Sequence, residues 1–155
     1  MLGPSIEARM SQGKALRERV PRTSHAEWAA PSGRPDVIKV LQQSDRGRVP
    51  ELLPIRYGRM RQSPFAFFRG SAAVMAWDLS KTPATGIQVQ AGGDCHAANF
   101  GGFASPERRL LFDINDFDET IRGPFEWDLK RLATSLVLAC RERSEERRVG
   151  KECLE

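Results

Sequence analysis

The stretch GGDCHAANFGGFASPERRLLFDINDFDETIRGPFEWD, residues 92–128, decides the fold. Alternating residues 87–90 before it predict a short strand, and the Gly-Gly pair that follows predicts a sharp turn. Residues 99–103 and 110–114 have the composition of two further strands, and the turn between them predicts a hairpin. Because an acidic loop and a helix follow the hairpin, the stretch predicts an α+β arrangement.

Two polar segments in this stretch contain the residue types that phosphoryl transfer requires. That reaction needs metal-binding oxygens, a carboxylate near the acceptor hydroxyl and positive charge on the phosphates. Asp94 follows a predicted strand, and Asn99 comes five residues later, the spacing between catalytic base and magnesium-binding asparagine in kinase catalytic loops. Asp116 follows the second hairpin strand, where kinase folds place a metal-chelating aspartate. We therefore expect these three side chains to converge on one divalent cation.

Helical segments surround this stretch. Residues 6–19 have helical composition with a weak apolar face. Ser63-Pro64 has the pattern of an N-cap followed by proline at the first helical position, which predicts one helix continuing to Leu79. Gly123-Pro124 predicts the start of another helix, whose apolar positions form one stripe: Phe125, Leu129, Leu132, Ala133, Leu136, Val137 and Cys140.

Three motifs resemble those of aminoglycoside and choline phosphotransferases. GDCHAANF resembles their HGDxHxxN loop, with Gly92 in place of the first histidine, and FDINDFDE resembles their metal loop. The twelve-residue step from Asp116 to Asp128 is similar to their step from the metal aspartate to an aspartate of the following helix. The resemblance implies a partial protein-kinase-like fold, mainly helical, with a small antiparallel hairpin that carries the acidic site.

A second resemblance covers more of the chain, about residues 15–142. Its motifs resemble the N-terminal part of the bacterial family called domain of unknown function 2252, and they are PIRYGRMRQSPFAFFRG (54–70), GDCHAANFGGF (93–103), FDINDFDET (112–120) and GPFEWDLKRLATS (123–135). That family has no assigned reaction, so the resemblance identifies relatives without naming a substrate.

The kinase-like resemblance implies roles for the polar side chains, with Mg²⁺ and ATP as cofactors. Asp94 would be the general base or would orient the acceptor. The magnesium ligands would be Asn99, Asp116 and Asp118, which offer hard oxygen atoms. Supporting residues would be His96, which orients the loop, Asp113, which could assist or replace Asp116, and Asp128, which accepts hydrogen bonds from the loop backbone. A plain helix-start carboxylate, favoured by the helix dipole, is the alternative for Asp128.

The cation that contacts phosphate is not supplied by a familiar motif. The sequence has no GxGxxG or GxxxxGK[ST] segment and no VAIK-like lysine, and the residues before Asp94 are mostly helical in composition. Arg56, Arg59 and Arg69 are candidates because they lie among aromatic and glycine residues. Of these, Arg59 and Arg69 are our predicted phosphate-binding residues, with ordinary structural ion pairs as the alternative.

We divide the chain into three parts. Residues 1–22 are predicted to be an N-terminal arm and residues 23–142 a truncated kinase-like domain. Residues 143–155 are charged without apolar periodicity, and RSEERRVGKEC within them resembles the translation of a sequencing-adapter oligonucleotide. We therefore expect this tail to be non-native and the fragment to be inactive by itself.

Composition indicates the compartment and the partners. Cys95, Cys140 and Cys153 form no CxxC pair, and neither a signal peptide nor a membrane-length apolar run is present, so we expect a cytoplasmic protein without a membrane partner. The first half is basic and the second acidic. The basic half is either a solvated surface or a surface that contacts phosphate.

Two other classes stay open at this point. A metal-dependent hydrolase site could use Cys95, His96, Asp113, Asp116 and Asp118, although no regular ligand pair is present. A non-catalytic module that binds phosphate or nucleic acid would use the basic first half. We expect a nucleotide and an acceptor of unknown identity as partners, rather than nucleic acid. The sequence gives neither nucleotide preference nor oligomeric state.

Overall fold

The structure, a computed structural model, describes the backbone of residues 3–152 and the side chains of residues 3–144. The described residues form α-helices and short strands in the order α1 (Ile6–Arg19), α2 (Val37–Ser44), α3 (Leu53–Met60), α4 (Pro64–Gly70), α5 (Ala72–Leu79), β1 (Gln88–Ala91), β2 (Phe100–Ala104), β3 (Leu110–Ile114), β4 (Ile121–Pro124) and α6 (Phe125–Glu152). Single 3₁₀ turns connect several of them. The predicted α+β class is confirmed in this sense: helices are combined with small antiparallel strand pairs.

Two antiparallel strand pairs hold the polar loops in place. Strands β2 and β3 form the predicted hairpin, in which Phe100 lies opposite Ile114. Strand β1 pairs with β4, and Val89 lies opposite Gly123. The prediction that Gly123-Pro124 opens the last helix was wrong, since both residues belong to β4 and the helix begins at Phe125. Glycine and proline disfavour strands, so only the pairing with β1, which is remote in sequence, defines β4.

The helix predicted from Ser63 to Leu79 is two helices. Ser63 caps α4 as expected, because its hydroxyl accepts a hydrogen bond from the Ala66 N–H at 3.0 Å. The break falls at Gly70 and Ser71. A Cβ on Gly70 would lie 2.6 Å from the Met60 sulfur, so a larger residue at this position would require the Met60 side chain to shift. The Gly70 carbonyl accepts a hydrogen bond from Arg56 at 2.6 Å.

The buried face of α6 is polar. The most buried side chains among its described residues include Glu126, Arg131 and Ser135, with 4%, 2% and 0% exposure. The predicted apolar stripe is about half exposed at Leu129, Leu136 and Val137, so it does not form the inward face. The inward face instead binds the polar loops. Among residues 3–144, the buried apolar side chains form a small core: Leu41, Met60, Ala72, Leu79, Ala91 and Cys95.

The two ends of the chain bear on the predicted boundaries. Helix α1 has no buried residue, and the Arg19 guanidinium donates a hydrogen bond to the Thr85 carbonyl oxygen. The predicted non-native tail, residues 143–155, lies mostly beyond the described side chains, and residues 153–155, Cys153 included, lie outside the described part. The boundary stays a prediction. Among the helices that the structure describes, none is both long and apolar enough to cross a bilayer.

Candidate functional site

One cavity of about 1030 Å³ brings the two polar loops and the basic helices together. After the kinase-like resemblance noted in the sequence, we label residues 92–99 the catalytic loop, and we call residues 115–120 the acidic loop. The loops contribute Gly92, Asp94, His96, Asn99, Asp116, Asp118 and Glu119 to the cavity lining. A second part of the lining, which we call the arginine wall, comes from residues 44–73 and includes Arg48, Arg56, Arg59 and Arg69. Carboxylates and guanidinium groups therefore line one cavity.

Asp94 is held by contacts on both carboxylate oxygens. Its Oδ1 accepts a hydrogen bond from Nε of Arg131 at 2.6 Å. Its Oδ2 lies 3.6 Å from Nε2 of His96. The side chain keeps about a fifth of its surface exposed. The carboxylate is therefore fixed in orientation and still accessible from the cavity.

Arg131 is the central contact that the sequence analysis missed. It is 2% exposed, its guanidinium lies 4.2 Å from the centre of the Phe68 ring, and it donates to the Phe68 carbonyl at 2.9 Å. One buried cation thus joins α4, the catalytic loop and α6. The signal in the sequence was the spacing of Asp128, Arg131 and Ser135, which places three polar residues on one face of a helix.

Helix α6 also holds the backbone of the catalytic loop. Asp128 accepts hydrogen bonds from the N–H groups of Gly92 at 2.7 Å and Gly93 at 3.2 Å. Ser135, which is fully buried, accepts one from the Ala97 N–H at 2.9 Å. The contact predicted between Asp128 and the loop backbone corresponds to the first two bonds.

His96 and Cys95 are buried residues of the catalytic loop, in an environment that disfavours charge. Burial lowers the pKa of His96, as do the positive charges of Arg131 and Arg69, while Asp94 opposes the shift. A neutral imidazole results, and its Nδ1 has no hydrogen-bond partner among the described residues. Burial, with the charge of Asp128, raises the pKa of the Cys95 thiol to about 11, so this group is a poor nucleophile and a poor metal ligand.

The predicted magnesium ligands lie around the same cavity. The Asn99 amide nitrogen donates to the Asp94 carbonyl at 2.8 Å, which leaves its oxygen as the available acceptor. Asp116 and Asp118 are exposed, and Oδ1 of Asp116 accepts from the Asp118 N–H at 3.3 Å. Burial, together with the charges of Asp94 and Asp116, raises the pKa of Glu119, which also lines the cavity.

The donor set suits a hard cation with an incomplete protein cage. Among the described residues, no three His, Cys, Asp or Glu side chains lie close enough to hold a metal ion together. Magnesium commonly takes only one or two carboxylates and completes its shell with water and phosphate oxygens. The oxygens of Asn99, Asp116 and Asp118 fit that pattern, whereas Cys95, protonated and buried, does not fit a transition-metal site.

Asp113 lies apart from the other predicted site residues. Its side chain is exposed outside the cavity lining, and its Oδ1 accepts a hydrogen bond from the Ile114 N–H at 2.8 Å. The alternation of side chains along β3 turns it away from the position that Asp116 reaches in the following loop. Asp113 therefore does not join the oxygen donors of the cavity.

The arginines of the cavity wall fall into two groups. Arg56 pairs with Oδ1 of Asp45 at 3.0 Å, and Nε of Arg48 donates to the Ser44 carbonyl at 3.2 Å. Arg59 and Arg69 are exposed, and within the described residues neither forms an ion pair. The structural ion pair considered for these arginines is therefore made by Arg56, while Arg59 and Arg69 keep their donors free for a ligand.

Comparison with known proteins agrees with the second resemblance noted in the sequence. The sequence pattern of a family described as uncharacterised protein conserved in bacteria (DUF2252) matches residues 48–154. No curated protein and no solved structure gives a significant match. The matched range contains the arginine wall, both polar loops and the helix that holds them. The chain therefore belongs to this bacterial family, the domain of unknown function 2252.

Proposed function

We propose that this chain carries the site of a kinase-like, Mg²⁺-dependent ATP phosphotransferase that acts on a small-molecule or protein acceptor. The observation that carries the proposal is the composition of one cavity. Asp94, the oxygen donors of both loops and two arginines without ion pairs among the described residues line it together. The order of catalytic loop, hairpin, acidic loop and helix supports a kinase-like fold.

Asp94 would act on the acceptor. Arg131 occupies its Oδ1, so Oδ2 is the oxygen that can accept a hydrogen bond, and then a proton, from an acceptor hydroxyl. His96, neutral and buried beside Oδ2, would help to fix the plane of the carboxylate. Asp128 and Ser135 would keep the loop in the same position through its backbone N–H groups.

The remaining groups would bind the phosphates. Asn99, Asp116 and Asp118 would hold the magnesium ion, which when bound neutralises charge on the nucleotide phosphates. Arg59 and Arg69 would donate to phosphate oxygens from the arginine wall of the cavity, since a planar guanidinium can make two parallel hydrogen bonds. This arrangement would replace the strand lysine that the sequence lacks. We also propose a cytoplasmic location, supported by three cysteines without a paired spacing.

A second candidate is a phosphate-binding module without catalysis. The arginine wall favours it, because phosphate binding by Arg59 and Arg69 does not need Asp94 or a metal ion. The two candidates differ in their dependence on magnesium. The phosphotransferase requires the cation for tight nucleotide binding, whereas the module binds through guanidinium groups alone.

Calorimetric titration with ATP, in magnesium and in EDTA, tests the proposal. We expect magnesium-dependent binding that Asp116→Asn weakens by roughly tenfold or more, because a neutral amide is a poorer magnesium ligand than a carboxylate. Asp94→Asn keeps every proposed magnesium ligand, so its ATP affinity should fall less than that of Asp116→Asn. Asp113→Asn is the matched control, since that side chain lies outside the cavity lining, and it should bind like the wild type.

Wild-type affinity for ATP in Asp116→Asn would refute the metal role. Binding that is equal with and without magnesium would favour the non-catalytic module instead.

A further inference from the structure

The cavity wall contains an apolar surface beside its arginines. Val49, Leu52 and Ile55 have 55%, 57% and 52% of their surface exposed, and all three line the cavity. Contact between water and large apolar side chains is unfavourable, and a ligand that covers such side chains in a cavity removes this cost. Nothing in the roles assigned to Asp94, the magnesium ligands or the arginines accounts for this surface.

The apolar surface and the basic surface lie along one helical face. Residues 49, 52, 56 and 59 are spaced by three or four positions through the 3₁₀ turn Pro50–Leu52 and helix α3. Such spacing aligns side chains on one side of a helix. At 1.5 Å per residue, Leu52 and Arg59 are about 10 Å apart along the axis. A ligand lying along this face would therefore meet apolar side chains at one end and a guanidinium group at the other.

We propose that Val49, Leu52 and Ile55 form the subsite for the nucleobase of the nucleotide whose phosphates meet Arg59 and Arg69. This inference rests on the proposed function and specifies its ligand. A base is planar and largely apolar on its faces, and it is joined through a ribose to the phosphates, so it matches the order of surfaces along the helix. Inorganic polyphosphate or a sugar phosphate would leave the apolar end uncovered.

The charges around the cavity support this orientation of the ligand. Arg59 comes later in the helical segment than Val49, Leu52 and Ile55, whereas Arg48, which precedes them, already donates to the Ser44 carbonyl. Arg69, on α4, and the predicted magnesium ligands of the two loops line the same cavity. Phosphates bound between Arg59, Arg69 and the magnesium ligands would place the base toward residues 49–55 and away from the carboxylates. The reverse orientation would put phosphate oxygens against leucine and isoleucine, and the base against unpaired charges.

Parallel titrations with Mg·ATP and Mg·tripolyphosphate separate the subsite from the phosphate site. The wild type should bind ATP more tightly than tripolyphosphate. Leu52→Ser and Ile55→Ser should each weaken ATP binding by roughly tenfold, the lower end of the range for one methylene missing from an apolar pocket, and should leave tripolyphosphate binding unchanged. Ile38→Ser is the matched control, because Ile38 is also 57% exposed but lies outside the cavity lining. Arg59→Gln should weaken both ligands.

The outcomes distinguish this inference from the function on which it rests. Equal affinity of the wild type for the two ligands would overturn the base subsite and leave the phosphate site standing. The same would follow if Leu52→Ser and Ile38→Ser changed ATP affinity equally. Failure of the wild type to bind either ligand would overturn the proposed function, and the subsite with it. Circular dichroism of each variant checks that the fold is retained.

Discussion

Arg131 and Asp94 form the pair on which the position of the catalytic loop depends. A buried guanidinium must find a partner, because taking it out of water without one costs several kcal/mol. Arg131 finds two, the Asp94 carboxylate and the Phe68 carbonyl, and it also stacks on the Phe68 ring. The loop can therefore occupy this position only when α4 and α6 are both docked.

Replacing Arg131 by methionine should destabilise the protein by about 3 kcal/mol, the lower part of the range for breaking a buried ion pair, since Asp94 is partly exposed. Urea denaturation measures the change. Arg61→Met, at an exposed position, should stay within about 0.5 kcal/mol of the wild type. The double variant Asp94→Asn, Arg131→Met should recover part of the loss, because no unpaired charge remains. Equal stability of the Arg131→Met and Arg61→Met variants would contradict the role of Arg131.

The polar loops could be predicted at residue level because their chemistry depends on local spacing. Asp94 follows one predicted strand end, Asn99 comes five residues later, Asp116 and Asp118 follow another strand end, and all four line the cavity. Arg131 could not be predicted in the same way. Its partners lie 37 and 63 residues away, and no local pattern states which helix packs against the loop.

At the scale of elements, the hairpin and the capped start of α4 were predicted better than the joints between elements. Strand β3 has the predicted limits, and Ser63 caps α4, because alternation and capping are local signals. The break at Gly70 depends on close packing against Met60, and β4 exists only through its pairing with β1. Those two features are set by tertiary contact, which overrides local propensity.

Gly93 joins the catalytic loop to the acidic loop. Its φ of +80° lies in the left-handed region, and a Cβ there would come within 2.3 Å of the Glu119 carbonyl oxygen. Gly93→Ala should therefore lower the free energy of unfolding by about 1–2 kcal/mol through backbone strain. Displacement of the acidic loop should lower it further. Gly33→Ala is the matched control, because Gly33 has a φ of +77° with nothing within 4 Å of the added carbon. Urea denaturation measures the free energy of unfolding of both variants.

We expect the free energy of unfolding to fall by at least about 1 kcal/mol more in Gly93→Ala than in Gly33→Ala, because the tight backbone contact adds strain. Identical losses would show that the two loops do not need this close approach. The same variant should also weaken magnesium-dependent ATP binding, since Asp116 and Asp118 belong to the displaced loop.

At the scale of the whole molecule, polar contacts hold together a chain with a small apolar core. The segment before β1 is tied to α6 by the Thr85 N–H, which donates to Oε1 of Glu126 at 2.7 Å, and by Lys130, which donates to Thr82 at 3.0 Å. Arg34 binds Asp78 with two hydrogen bonds of 2.7 Å and ties the residues before α2 to α5. Stability should therefore depend on the protonation of buried carboxylates more than on any single apolar contact.

Glu126 provides the last prediction, which concerns acid stability. Burial alone would raise its pKa, but hydrogen bonds from Thr85 and the charge of His25 outweigh burial, so the pKa lies below its usual range. The unfolded chain, with a glutamate pKa of about 4.3, then binds more protons than the folded one as the pH falls. This contribution is fully present above about pH 4.3 and is lost as the pH falls through the lowered pKa of the folded state.

Glu126→Gln should remove this contribution, because glutamine keeps an acceptor that carries no charge. Between pH 7 and pH 3, the variant should lose about 1 kcal/mol less unfolding free energy than the wild type, which is the difference between a charged and a neutral hydrogen bond. Urea titrations at both pH values measure it, with the exposed Glu18→Gln as control. An unchanged pH dependence in Glu126→Gln would mean that the Thr85 contact does not favour the ionised carboxylate.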